Sequence, residues 1–125
     1  MIERFDHIVL TVADLNKTCD FYAHVLGMEV VTFEGDKKAL RFGRQKINLH
    51  EVGKELEPKS LRPTPGSGDM CFITEVPIRE LITRFRKAGV EIIEGPIQRT
   101  GALGLMESIY LRDPDGNLLE LSNYR

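Results

Sequence analysis

The sequence predicts an α+β protein of two tandem β-α-β-β-β modules that form a curved sheet around a central trough. Three observations carry this prediction: an internal repeat, an amphipathic helix between alternating strands in each half, and one Pro- and Gly-rich connection between the halves. LGMEVV (Leu26–Val31) reappears as AGVEII (Ala88–Ile93), 62 positions later. The same offset pairs DHIVLTV (Asp6–Val12) with GDMCFIT (Gly68–Thr74). Two unrelated amphipathic helices would not keep register from strand through helix to the next strand, so the repeat reads as a duplication.

In the first half, residues 5–12 alternate apolar and polar side chains, the period of a half-buried strand. Asp14 is placed to N-cap a helix whose apolar stripe is Leu15, Cys19, Tyr22 and Leu26, and Gly27 supplies its left-handed end. Strands are expected near 28–34, 37–43 and 46–51. The second half opens with a strand over 69–75. Pro77 suits the first turn of the next helix, with Ile78, Leu81, Ile82, Phe85 and Ala88 as its stripe and Gly89 as its end. Strands are expected near 91–95, 106–112 and 117–123, the last two joined by the turn DPDGN. One domain is expected over 1–125, as module 1–51, linker 52–67 and module 68–125. The linker's Pro, Gly and charge content suits a crossing between modules.

The composition narrows the function. A chain of 125 residues fits one domain, and its 42% hydrophobic and 29% charged residues are those of a globular protein. The 17 Lys and Arg against 19 Asp and Glu give a net charge of −2, and the pI is near 5.9. That balance argues against a nucleic-acid partner. No apolar run approaches the roughly 18 residues of a membrane span, and the start lacks a signal-peptide core, so a cytoplasmic protein without a membrane partner is expected. Cys19 and Cys71 lack metal or redox spacing and read as two buried thiols.

Strand parity assigns the trough. With Leu10, Val12, Leu40, Ile47, Leu49, Ile109, Leu111, Leu119 and Leu121 packed under the helices, the opposite faces carry His7, Arg41, Asn48, His50, Asp69, Tyr110 and Glu120. Two imidazoles and two carboxylates on a concave surface are donors suited to a divalent metal. The expected ligands are His7, His50, Asp69 and Glu120. His7 and Asp69 stand 62 apart and are symmetry mates, and the strands bearing Asn48 and Glu120 are mates also. Each residue also has a plainer reading. His7 can be a hydrogen-bonded strand histidine, and His50 can be solvated at the rim. Glu120 can be neutralised by Arg41 or Arg112, and His24 reads as a surface residue. Asp113 and Asp115 are explained by the turn.

DHIVLTV, FYAHVLGMEV and YLRDPDGNLLEL, set in duplicated β-α-β-β-β units, resemble the vicinal oxygen chelate superfamily. That group includes glyoxalase I, methylmalonyl-CoA epimerase, extradiol dioxygenases, and the fosfomycin- and bleomycin-resistance proteins. ALRFGRQKINLHEVGKELEPK and ITEVPIRELI are similar to the glyoxalase domain-containing protein 5 subfamily. The resemblance implies that His7 is the first-strand metal ligand and Glu120 the last-strand ligand. Asn48 stands where glyoxalase I has a glutamate, and Asp69 where these enzymes usually have a histidine. The implied cofactor is a divalent zinc, nickel, manganese or iron ion. The implied activity is a lactoylglutathione lyase-like lyase or isomerase reaction on a small molecule that offers two vicinal oxygens. Glu120 or Asp69 would move the proton, and Arg41, Asn48 and Tyr110 would bind the substrate. The alternatives are a non-catalytic binding protein of the bleomycin-resistance type and a ring-cleaving dioxygenase. A homodimer is expected from the superfamily's habit of pairing modules.

Overall fold

In a computed structural model describing residues 1–125, the chain divides into two compact units, Met1–Ser67 and Gly68–Arg125. The first contains β1 (His7–Val12), α1 (Leu15–His24), β2 (Glu29–Phe33), β3 (Lys37–Phe42) and β4 (Gln45–Glu51). The second contains β5 (Asp69–Ile73), α2 (Ile78–Lys87), β6 (Glu94–Gly101), β7 (Gly104–Arg112) and β8 (Leu118–Tyr124). Each unit is a β-α-β-β-β module with one four-stranded mixed sheet. The strand orders are β1-β4-β3-β2 and β5-β8-β7-β6. In both, the first strand pairs in parallel with the last, and the other pairs are antiparallel. The chain thus has the α+β class expected from the repeat.

The first module's core forms because α1 lays its apolar stripe on the sheet. Tyr22 is fully buried, with Val12, Leu40 and Ile47 beside it in the core. Asp14 N-caps α1 by accepting the Lys17 N–H at 3.0 Å, and Glu51 accepts the Leu15 N–H at 3.2 Å. Together they satisfy donors that the first turn cannot pair internally. Gly27, at φ +70, ends the helix.

In the second module Ile78, Leu81 and Phe85 pack with Ile109, Leu111 and Leu119. Pro77 is the N-cap residue rather than part of the first turn and supplies no side-chain cap. Asn123 on β8 does that work from across the module. Its Oδ1 accepts the Ile78 N–H at 2.8 Å, while its Nδ2 donates to the carbonyls of Thr74 and Val76. The DPDGN turn is also anchored from within. Asp113 accepts the N–H groups of Asp115 and Asn117, and the Asn117 amide donates back to Asp113 at 2.7 Å. Asn117, 1% exposed, then accepts the Gly68 N–H and so fixes the start of β5.

The largest departure from expectation is β6. It spans Glu94–Gly101 rather than 91–95, and a tight link over Gly101–Gly104 joins it to β7. Its pairing shifts by one residue between Glu94↔Tyr110 and Ile97↔Ser108, which marks a bulge. Gly95 lies in this bulge at φ +106, where an added Cβ would stand 2.5 Å from the Ser108 carbonyl oxygen. A one-residue shift moves every later side chain to the other face of the sheet. The bulge thereby carries Arg99 onto the face of Tyr110 and Glu120.

Candidate functional site

On the face of the first sheet away from its core, β1 contributes His7, Val9 and Thr11, level with Lys46, Asn48 and His50 of β4. His7 is 44% exposed, and its Nδ1 donates to Asp6 Oδ2 at 2.8 Å. That hydrogen bond holds the Asp6 carboxyl below its usual range. A histidine whose Nδ1 proton is fixed by a carboxylate presents Nε2 as a lone-pair donor, the arrangement found behind metal-bound imidazoles. Asn48 lies level with Val9 on one side and Ala39 on the other. Its Oδ1 is buried without a hydrogen-bond partner. An acceptor in that state favours a cation or donor brought to it.

His50 is level with Thr11, four register positions from the level of His7. At about 3.3 Å per residue that is ~13 Å along the sheet. Arg41 is exposed and occupied, donating through Nε to Glu29 at 2.8 Å. A cleft of about 540 Å³ contains His7, Lys46, Asn48 and His50 in its wall.

The matching face of the second sheet carries a continuous polar network. Glu120 is level with Cys71 of β5 and Tyr110 of β7. Its Oε2 accepts from Ser108 Oγ at 2.7 Å and from Ser122 Oγ at 3.3 Å, and the two serine oxygens are 2.6 Å apart. Ser108 and Ser122 are fully buried. The Tyr110 hydroxyl accepts from Arg99 Nε at 2.9 Å, and the guanidinium lies over the ring. Burial holds the Tyr110 hydroxyl above its ordinary pKa, against the opposite pull of Arg99. Asp69 is exposed and level with Leu118, a diagonal neighbour of Glu120 at about 7–8 Å. Cys71 is exposed on this face rather than packed, with Sγ 3.3 Å from Ser122 Oγ, and Cys19 is only half-buried. Parity exposes Cys71 because it alternates with Met70 and Phe72.

No three His, Cys, Asp or Glu side chains stand together as a ready ligand cluster. The network places Tyr110 with Glu120, and each of the other anticipated residues is on the sheet face that parity gave it. Arg99, Ser108 and Ser122 were not anticipated as network members. Arg99 was hidden by the bulge, whereas the serines were legible as inward positions flanking Glu120. Elsewhere, His24 is exposed and donates to the Asp20 carbonyl, and Arg112 donates to the Gly116 carbonyl at the turn.

A profile of the glyoxalase/bleomycin resistance protein/dioxygenase superfamily matches residues 4–121. The chain is 56% identical over 124 residues to a virulence protein of Salmonella typhimurium, covering 99% of this chain and 86% of that protein. The crystal structure of that virulence protein matches with a TM-score of 0.99, over 100% of this chain and 99% of the other. A glyoxalase domain-containing protein of Mycosarcoma maydis is 52% identical over 124 residues, covering 99% and 70% of the two chains. A metallothiol transferase FosB of Shouchella clausii is 31% identical over 123 residues, covering 97% and 80%. With the duplicated β-α-β-β-β modules and a profile match along nearly the whole chain, the protein belongs to the glyoxalase/bleomycin resistance protein/dioxygenase superfamily.

Proposed function

We propose that the chain is a metal-dependent, glyoxalase-like lyase or isomerase acting on a small substrate with two vicinal oxygens. The observation that carries this reading is His7, with Nδ1 committed to Asp6 and Nε2 left as a donor atom on an exposed sheet face. Glu120 supports it. Ser108 and Ser122 fix Oε2, which leaves Oε1 as a pre-oriented oxygen donor. Imidazole nitrogen with carboxylate oxygen suits zinc, nickel, manganese or iron. His7 and Glu120 are the proposed ligands. Asp69 is the favoured third, because the register sets His50 ~13 Å along the sheet from the level of His7.

When bound, such an ion supplies Lewis-acid stabilisation of negative charge on the substrate oxygens. The chain's own residues supply the rest. Asp69, exposed and close to Glu120, takes a proton from the hydroxyl-bearing carbon beside a carbonyl and returns it to the former carbonyl carbon, while the hydroxyl proton passes to the former carbonyl oxygen. Tyr110, oriented by Arg99, donates a hydrogen bond to a substrate oxygen, and the Asn48 amide is a further proposed substrate contact. Arg41 enters only by exchanging Glu29 for a substrate anion. The functional unit is proposed to be a homodimer.

A second reading, a non-catalytic binder, is favoured by one feature: an aspartate at the position mated to His7. Metal analysis of protein purified without chelator separates the two. The enzyme reading expects about one divalent ion per chain, with strong loss in both His7→Ala and Glu120→Gln. Unchanged metal content in both variants, or none in wild type supplied with the four metals, supports the binder.

A further inference from the structure

The segment after β4 folds back on its own module. Glu55, only 10% exposed, accepts the Gly53 N–H at 2.6 Å and lies 3.9 Å from Lys59 Nζ. Beyond this anchor, Pro58, Lys59, Ser60 and Pro63 close a cleft of about 280 Å³ against Val9, Thr11 and His50. Val9 and the two prolines form an apolar wall. The polar lining consists of an imidazole, two hydroxyls and an ammonium, with no carboxylate.

The imidazole and the two hydroxyls are not consumed by the protein, whereas the ammonium is shared with two carboxylates. The side chains of His50, Thr11 and Ser60 make no hydrogen bond or ion pair within the chain. Lys59 faces Glu57 at 3.5 Å and Glu55 at 3.9 Å, longer than a charge-assisted hydrogen bond. Four donor groups converging on a small, partly apolar cleft match an anion's oxygens, which need several donors at once and some shelter from water.

We propose that this cleft is a binding site for a small oxyanion, a carboxylate or a phosphonate-type group, carried on a short apolar stem. At roughly 30 Å³ per water-sized group, the space suits about nine non-hydrogen atoms. The site lies wholly within Met1–Ser67 and needs no metal, so it goes beyond the proposed enzymatic reading. It gives His50 a role that its distance from the level of His7 leaves open.

Calorimetric titration of the full chain with butyrate, butylphosphonate and 1-butanol tests the proposal. One anion is expected to bind one-to-one and 1-butanol not at all, and the stronger anion identifies the headgroup. His50→Gln and Thr11→Val are each expected to weaken that binding about tenfold or more, which is about 1.4 kcal/mol. Lys87→Met, on α2, is expected to bind as wild type does. Lys59→Met also removes a strap ion pair, so its effect is read only beside the other two variants and an unchanged thermal midpoint. Metal content measured on the same samples is expected to be equal in wild type and His50→Gln, which keeps failure here distinct from failure of the enzyme reading. The proposal is overturned if neither anion binds at millimolar concentration, if 1-butanol binds as well as the anions, or if His50→Gln and Thr11→Val bind like wild type.

Discussion

Asn48 and Glu120 occupy the same register position in the two sheets, level with Val9 and Cys71 on the first strands. Their surroundings differ. Asn48 has Ala39 on its other side and a buried Oδ1 without a partner, whereas Glu120 has Tyr110 there and two serine hydroxyls on its carboxylate. Three positions further along, Glu51 and Asn123 are also mates, and each accepts the first helical N–H of its own module. The core positions match closely, Ile47 with Leu119 and Leu40 with Leu111. Duplication has kept the packing and the helix anchoring while the polar face diverged. One module now offers imidazoles and an amide, the other carboxylates, hydroxyls and a phenol.

The largest expected effects test the conserved part. Ile47→Ala and Leu119→Ala, both at fully buried mated positions, should each cost about 2–5 kcal/mol in denaturant unfolding. A core mutation that is nearly neutral in one module would break the equivalence. Next comes the turn. Asn117→Ala removes the two side-chain hydrogen bonds that tie Asp113 to Gly68 and should cost about 1–3 kcal/mol. Its mate Gln45, exposed and holding one long bond to Phe5, should change stability by less than about 0.5 kcal/mol on replacement by alanine.

A sharper test concerns the polar faces. Ser108→Ala strips a buried partner from Glu120 and should destabilise by about 1–2 kcal/mol, whereas Asn48→Ala deletes an acceptor already unpaired and should be close to neutral. Equal losses would mean that the two faces are satisfied alike.

The smallest expected effect is a difference in pH response between the helices. The Leu15 N–H, helped by Lys54, holds the Glu51 carboxyl below its ordinary 4.5. A depressed carboxyl stabilises fully above 4.5 and loses that contribution as pH falls through its lower folded value. The Leu15 amide signal should therefore titrate with a midpoint below 4.5, while the Ile78 amide, held by the neutral Asn123, should not follow a carboxyl at its cap.

Much of this was legible in the sequence, because periodicity and duplication report burial directly. The strands carrying His7, Asn48 and Glu120, both helices and the inward parity of each residue follow from apolar alternation. What was not legible depended on backbone irregularity. The bulge at Gly95 needs φ +106 and a close pass over Ser108, and apolar spacing does not encode either. Apolar spacing therefore sets β6 too early and gives no sign of Arg99 beside Tyr110. The strap over His50 was invisible for a related reason: Glu55 anchors it by a buried carboxylate, in a stretch whose composition reads as open linker.

The central claim is that His7 offers Nε2 to a divalent ion because Asp6 holds its Nδ1 proton. Nitrogen-15 NMR of the three histidine rings during titration with zinc tests this most directly. The account predicts that metal-free His7 is the Nδ1–H tautomer and that zinc moves its Nε2 resonance into the metal-bound range, while His24 and His50 stay unchanged. Asp6→Asn should weaken that response, and His7→Ala should abolish zinc binding. A His7 ring that ignores saturating zinc, or a zinc response carried by His50 instead, would contradict it.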